Sequence, residues 1–390
     1  MKPRDDTFLG NGQSAAGASE GRTPHAGDAQ HGQRRLIILG LDGADLGLLV
    51  PWTRKGLLPA FRRVLREGAW GGLRSTMPPM TAPAWSTFMS GLAPARHGVL
   101  DFHHRLPFSY ERQQPMVSGR DAPGSFWETC AAHGVRPVVM GVPVTYPPKP
   151  IDGVWISGLL TPRDAGDAIH PARLREPLTR RFGCYRPAAA WERFAPGMEL
   201  AVLEDLHAVL TQRIAMFQFL LETEPWQLAI SVFSTPDQVQ HFYWCHMDGR
   251  HPRHRRDVES RLQNAILSIY QRLDRCLARM LDLYPDATFM VMSDHGAGPL
   301  LAGFHLNRWL AEHGYQREGP ACAARPAGDL VERFAAAVTW TTVPDGLGLG
   351  PGELSIGLWP RHAIMAHADS RVEFPVPDTG EWYLHTAPAI

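Results

Sequence analysis

The sequence has no surplus of either charge: Lys plus Arg and Asp plus Glu each number 39 in 390 residues. A chain so balanced has no net field to draw it to nucleic acid or to an anionic membrane, so recognition of an anion must be local. Cysteine is sparse as well. Cys130, Cys184, Cys245, Cys276 and Cys322 are odd in number and free of any Cys-x-x-Cys spacing. That argues against a disulfide framework or a zinc ribbon and predicts buried thiols. No apolar run approaches the length of a bilayer span, and the first residues lack the hydrophobic region and cleavage pattern of a secretory signal, so the cytoplasm is the expected location. Residues 1–34 have almost nothing apolar to bury and predict a disordered tail without a catalytic role.

What is present is enough for a large core, with 44% hydrophobic and 20% charged residues. Leu36-Ile37-Ile38-Leu39-Gly40-Leu41 is a short continuous apolar run, as in a strand covered on both faces, and it stops at Asp42-Gly43. Leu228 to Phe233 and Ala287 to Met292 repeat the pattern, and each is again followed by an acid, Asp237 and Asp294. Helical spacing lies between them: Leu57 to Gly68, Ser125 to His133, Met198 to Leu221 and Arg256 to Leu283, the last with Leu262, Ile266, Ile269, Leu273, Cys276 and Met280 as a core stripe. Strands alternating with helices predict an α/β fold with a mainly parallel central sheet flanked by helices on both faces. A proline- and arginine-bearing segment around 161–197 predicts a cap insertion, and short strands are expected near Leu354 to Leu358 and Val372 to Phe374.

Open α/β sheets place their sites at the carboxyl ends of strands. Asp42 before Gly43, Asp237 with His241 four residues on, and Asp294 with His295 form a mixed carboxylate and imidazole set suited to zinc or manganese. Taken singly, each acid also fits a turn or a helix cap, and His241 fits a half-buried ring among Phe242, Tyr243 and Trp244. Thr81 precedes Pro83, whose fixed φ suits the first turn of a helix that runs to Gly91. A plain N-cap explains such a threonine by itself, but the same geometry offers free N–H groups and a positive dipole end to a phosphate held beside the hydroxyl.

Several stretches in this order resemble the alkaline phosphatase superfamily, in its type I phosphodiesterase and nucleotide pyrophosphatase branch and the bacterial phosphohydrolase or phosphomutase group within it. They are Gly40-Leu41-Asp42-Gly43, Thr81-Ala82-Pro83-Ala84-Trp85, His97-Gly98, Phe126-Trp127-Glu128, Pro143-Val144-Thr145-Tyr146-Pro147-Pro148, Asp237-Gln238-Val239-Gln240-His241-Phe242 and Ser293-Asp294-His295-Gly296. The resemblance covers roughly 35–315; 35–318 is expected to be the catalytic core, with 319–390 a divergent or truncated region. It implies that Asp42, Asp294 and His295 bind one metal that also contacts Thr81, the nucleophile, and that Asp237 and His241 hold the second. The implied chemistry is hydrolysis of small-molecule phosphate mono- or diesters through a phospho-threonine, with two divalent ions, zinc or manganese, as cofactors and no nucleic acid partner.

The chain departs from the family pattern in two places. The usual third ligand of the second metal, a distant histidine, has no recognisable counterpart; His305, His362, His367 and His385 are the available replacements. Phe102 stands where nucleotide pyrophosphatases carry an asparagine, which argues against nucleotide diesters. A phosphomutase or other phosphoryl transferase using the same site, and a non-catalytic binding protein that kept the fold, are the alternatives.

Overall fold

The computed structural model describes residues 35–104, 114–115, 124–163, 165–190, 194–195, 197–300, 354–359 and 383–388. The run after Arg34 is strand β1 (Arg35–Leu41), buried from Ile37 onwards because it lies inside the sheet. Helices α1 (Leu46–Arg54) and α2 (Pro59–Glu67) follow, α2 ending at Gly68 as its periodicity predicts. Helix α3 (Thr81–Ser90) begins at Thr81, and Gly91 closes it in the left-handed conformation at φ 68° that glycine adopts without a Cβ penalty. Strand β2 (His103–His104) pairs antiparallel with β3 (Gln114–Pro115). Helix α4 (Phe126–Ala132) starts in a capping box between Ser125 and Glu128.

Strands β4 (Pro137–Met140), β5 (Val154–Ile156) and β6 (Ile169–His170) come next, then helices α5 (Arg175–Phe182) and α6 (Glu199–Thr223). Strand β7 (Leu228–Phe233) leads into helix α7 (Thr235–Met247), and helix α8 (Ala265–Leu283) into strand β8 (Ala287–Met292). The expected helix over Arg256 to Leu283 is thus shorter at its start. Gln263 Nε2 bonds the carbonyls of Arg256 and Val258, and Asn264 leaves helical geometry with ψ 9°, so residues before Ala265 form a separate turn. Beyond residue 300, β9 (Leu354–Trp359) pairs antiparallel with β10 (Tyr383–Pro388). Strand β9 coincides with the expected one near Leu354, whereas that over Val372 to Phe374 lies outside the described residues, as do the 1–34 tail and most of 319–390.

The main sheet has the order β6-β5-β4-β7-β1-β8. Every pairing in it is parallel except β5 with β6 at one edge. The segment expected to cap the sheet therefore also extends it, since β6 lies within 161–197. Side chains alternate across the sheet and sort into two cores. Ile37, Leu39, Leu41, Val138, Met140, Ala229 and Phe233 face one core, shared with Phe61 of α2, Leu206 and Phe217 of α6, Val239 of α7 and Ile269 of α8. Ile38, Val139, Leu228, Ile230 and Val232 face the other, with Trp85 and Met89 of α3 and Trp127 of α4. Helices thus cover both faces, the arrangement that parallel strands require. Among the described residues no helix is long and apolar enough to cross a membrane.

Candidate metal centre

The topology does most of the assembly. Strands β7, β1 and β8 are parallel neighbours, so their carboxyl ends lie side by side. Asp42 follows β1, Asp237 sits in the first turn of α7 just beyond β7, and Asp294 with His295 follows β8. The acids that are far apart in sequence converge for this reason.

Asp42, Asp294 and His295 are buried and close enough together to hold a metal ion. His295 Nε2 is 3.4 Å from Asp42 Oδ1 and 3.4 Å from Asp294 Oδ2. Its Nδ1 lies 2.9 Å from the Gly296 carbonyl, an acceptor, which makes Nδ1 the protonated nitrogen and directs the lone pair of Nε2 into the centre. Asp42 Oδ2 and Asp294 Oδ2 are buried without a hydrogen-bond donor. Two carboxylate oxygens in that condition, beside an imidazole nitrogen, fit a divalent cation and little else. In the metal-free chain burial pushes the Asp42 carboxyl well above the usual carboxylate range, and the charges of Asp294 and Asp237 push it further. Burial raises Asp294 too, with the Asp237 charge adding to it and His295 and the Gly43 N–H opposing it.

Thr81 meets this group from the opposite core. As the first residue of α3, it donates from Oγ1 to Asp42 Oδ1 at 3.2 Å, and the same oxygen is 3.2 Å from His295 Nε2. The first N–H groups of a helix have no intrahelical acceptor, and Pro83 takes one such place without wasting a donor, so the Thr81 and Ala82 N–H groups remain for an anion. His97 lies one step back. Its Nε2 is 3.0 Å from Thr87 Oγ1 and its Nδ1 accepts from Val99 N at 3.0 Å, so it ties α3 to the following loop.

Asp237 and His241 share one face of α7, His241 Nε2 lying 3.3 Å from Asp237 Oδ2. Asp237 is pressed against Gly43, where a Cβ would stand 2.9 Å from its Oδ1 and 3.2 Å from its Cα, and where φ is +67°. Glycine is required there on both counts. All six residues singled out in the sequence, Asp42, Thr81, Asp237, His241, Asp294 and His295, therefore gather at one end of the sheet. Of the replacement ligands, His305, His362 and His367 lie outside the described residues, and His385 falls on β10 in register with Gly357. Phe102 packs against the small cluster of Ala82, Val99 and Val144, to which the start of α3 contributes.

Other residues at the centre have no role assigned to them by the sequence, although Ser293 and Gln240 lie inside two of the stretches named above. Ser75 Oγ donates to the Asp294 carbonyl at 2.6 Å from a stretch with no periodic pattern, and Ser293 Oγ donates to the His295 carbonyl at 2.7 Å. Gln240 is fully buried and donates from Nε2 to the Gly43 carbonyl at 2.8 Å. Its place between Asp237 and His241 on one helix is the only signal that the sequence offers for it.

A mainly parallel α/β sheet with hydroxyl, carboxylate and imidazole groups gathered at its strand ends defines the class. Within that class, residues 36–363 match the family model for type I phosphodiesterase / nucleotide pyrophosphatase. The chain belongs to this family of phosphoric ester hydrolases. No curated protein matches it. Among solved structures, phosphonoacetate hydrolase from Sinorhizobium meliloti 1021 in complex with phosphonoformate is 18% identical, with 81% of this chain and 71% of that chain covered and a TM-score of 0.45. The same enzyme with phosphonoacetate gives 19%, 75%, 66% and 0.44. A Bacteroides thetaiotaomicron structure titled for glycosaminoglycan metabolism gives 11%, 68%, 62% and 0.38. At these scores the family model alone carries the assignment.

Proposed function

We propose that the protein hydrolyses a small-molecule phosphate ester through a phospho-threonine on Thr81, with two divalent ions, zinc or manganese, held by Asp42, Asp294 and His295 on one side and by Asp237 and His241 on the other. One observation carries this reading: the Thr81 hydroxyl, at the start of α3, stands 3.2 Å from both Asp42 Oδ1 and His295 Nε2. When bound, such ions lower the cost of the threonine alkoxide and of the charge on the leaving and attacking oxygens.

The chain's own residues account for the rest. Thr81 Oγ1 attacks phosphorus, the ester oxygen leaves as the alcohol, and the phosphoryl group stays on Thr81. The Thr81 and Ala82 N–H groups and the dipole of α3 face the phosphoryl oxygens as charge builds on them. Water then cleaves the phospho-threonine and restores the hydroxyl. Phe102, packed against the cluster that includes Ala82, offers no amide to the phosphate, which favours substrates other than nucleotide diesters.

The test uses metal-loaded protein with p-nitrophenyl phosphate and bis(p-nitrophenyl) phosphate. Acid quenching during turnover, followed by mass spectrometry, is expected to find a phosphorylated peptide containing Thr81. Turnover that survives both Thr81→Ala and chelation would overturn the proposal, since neither the threonine nor the ions would then carry the reaction.

A further inference from the structure

One glycine joins the two halves of the centre. The Gly43 N–H donates to Asp294 Oδ1 at 3.1 Å, on the side of the Asp42 group. Its carbonyl accepts from Gln240 Nε2 at 2.8 Å, and its Cα lies against Asp237, both on α7. Gln240 is anchored in turn. Its Oε1 accepts from the Tyr270 hydroxyl at 3.3 Å, and that phenol oxygen also meets the Asp45 backbone. Burial, first of all, with the nearby Asp45 and Asp237 charges, raises the Tyr270 pKa, so the phenol keeps the proton that it donates. The Tyr270 ring packs edge-on against Trp52 of α1 at 5.2 Å. The loop after β1 is therefore held at Gly43 and again at Asp45 by a single buried chain that runs from α8 through α7.

We propose that Gln240 is a positioning residue that sets the separation between the Asp42–Asp294–His295 group and the Asp237–His241 pair. This rests on the two-metal reading above. Gln240 lies on the helix that carries Asp237 and His241, and its amide grips the peptide that follows Asp42. A shift of α7 along its axis has to break the bond to Gly43 before the two groups can part. Tyr270 orients the amide: by donating to Oε1 it turns Nε2 towards the Gly43 carbonyl. Neither residue touches the reacting atoms, so the role is purely geometric.

Gln240→Met keeps the length and bulk of the side chain and removes both hydrogen bonds. Manganese binding by equilibrium dialysis, with electron paramagnetic resonance to read coupling between the two ions, is the measurement. The expected result is a first ion bound as in the natural protein, a second bound about tenfold or more weakly, and lost coupling between them. Tyr270→Phe, which leaves the Gly43 bond in place, is expected to weaken the second ion by a smaller factor, and serves if Gln240→Met does not fold. Equal weakening of both ions, which a simple loss of stability produces, would overturn the proposal, as would unchanged binding in both variants. A natural protein that holds only one ion removes the two-metal reading itself and the brace with it, a result distinct from two ions that ignore Gln240.

Discussion

The two halves of the centre are made in different ways. Asp42, Asp294 and His295 come from the ends of two strands, and Gly43 and Asp294, which share a hydrogen bond, are 251 residues apart. Asp237 and His241 come from one turn of one helix. Burial follows the construction: the side chains of His295 and Asp294 are 2% and 1% exposed, whereas those of His241 and Asp237 keep 11% and 16%. A group assembled by the sheet is shut in by the sheet, while a pair on the first turns of a helix keeps an open side. The first half is thus suited to a tightly held ion, and the second to an ion that meets solvent and the departing group.

The largest expected effect strikes the point where the halves serve one reaction. Thr81→Ala is expected to lower kcat by about 10⁴-fold or more while both ions remain bound, as steady-state kinetics with metal analysis would check. His241→Ala is expected to cost roughly 10²-fold in turnover and to remove only the second ion. Loss of both ions in that variant would break the comparison, because it would make the strand-built half depend on the helical one.

Acidity separates the halves further. The folded-state pKa values of Asp42 and Asp294 lie above their unfolded values, so the native metal-free chain binds more protons than the unfolded one between those limits. These groups therefore make metal-free stability fall as pH rises from the ordinary carboxylate range through the raised values. Melting temperatures across that range, with and without zinc, are expected to diverge as pH rises, the ion stabilising the chain most where both carboxyls are charged. Asp42→Asn removes one of the crowded charges and is expected to raise the metal-free melting temperature while abolishing activity. Gly43→Ala forces a Cβ against Asp237 at positive φ and is expected to cost about 1–3 kcal/mol in denaturant unfolding and to weaken the second ion. The smallest effect is expected at His97→Ala, which loses the contacts to Thr87 and Val99 for about 1 kcal/mol, with metal binding intact.

Local chemistry explains what was legible beforehand. Pro83 and Gly91 mark α3, the β-branched and leucine-rich runs mark β1 and β7, and an acid after each of three strands marks the centre, because these signals lie within a few residues of what they specify. Neighbour relations do not. The insertion of β1 between β7 and β8 and the antiparallel seat of β6 depend on pairings that no short window contains. Strand β8 reads like an interior strand, yet it lies at the edge of the sheet among the described residues, and Met290 is exposed on it. Gln240 was hidden for a related reason: a glutamine in a helix is ordinary until Gly43 is seen to face it.

The order of synthesis gives the position of β1 another meaning. This strand leaves the ribosome first among those of the main sheet, but its neighbours, β7 and β8, follow only much later. Until β7 emerges both of its edges lack their native partners, and an unpaired apolar strand is the kind of surface that mispairs or attracts chaperones. The last residues of the candidate centre to emerge, Asp294 and His295, arrive with the strand that closes its second edge. Protection of β1 and completion of the centre consequently come together, and a fragment that stops before β8 has neither.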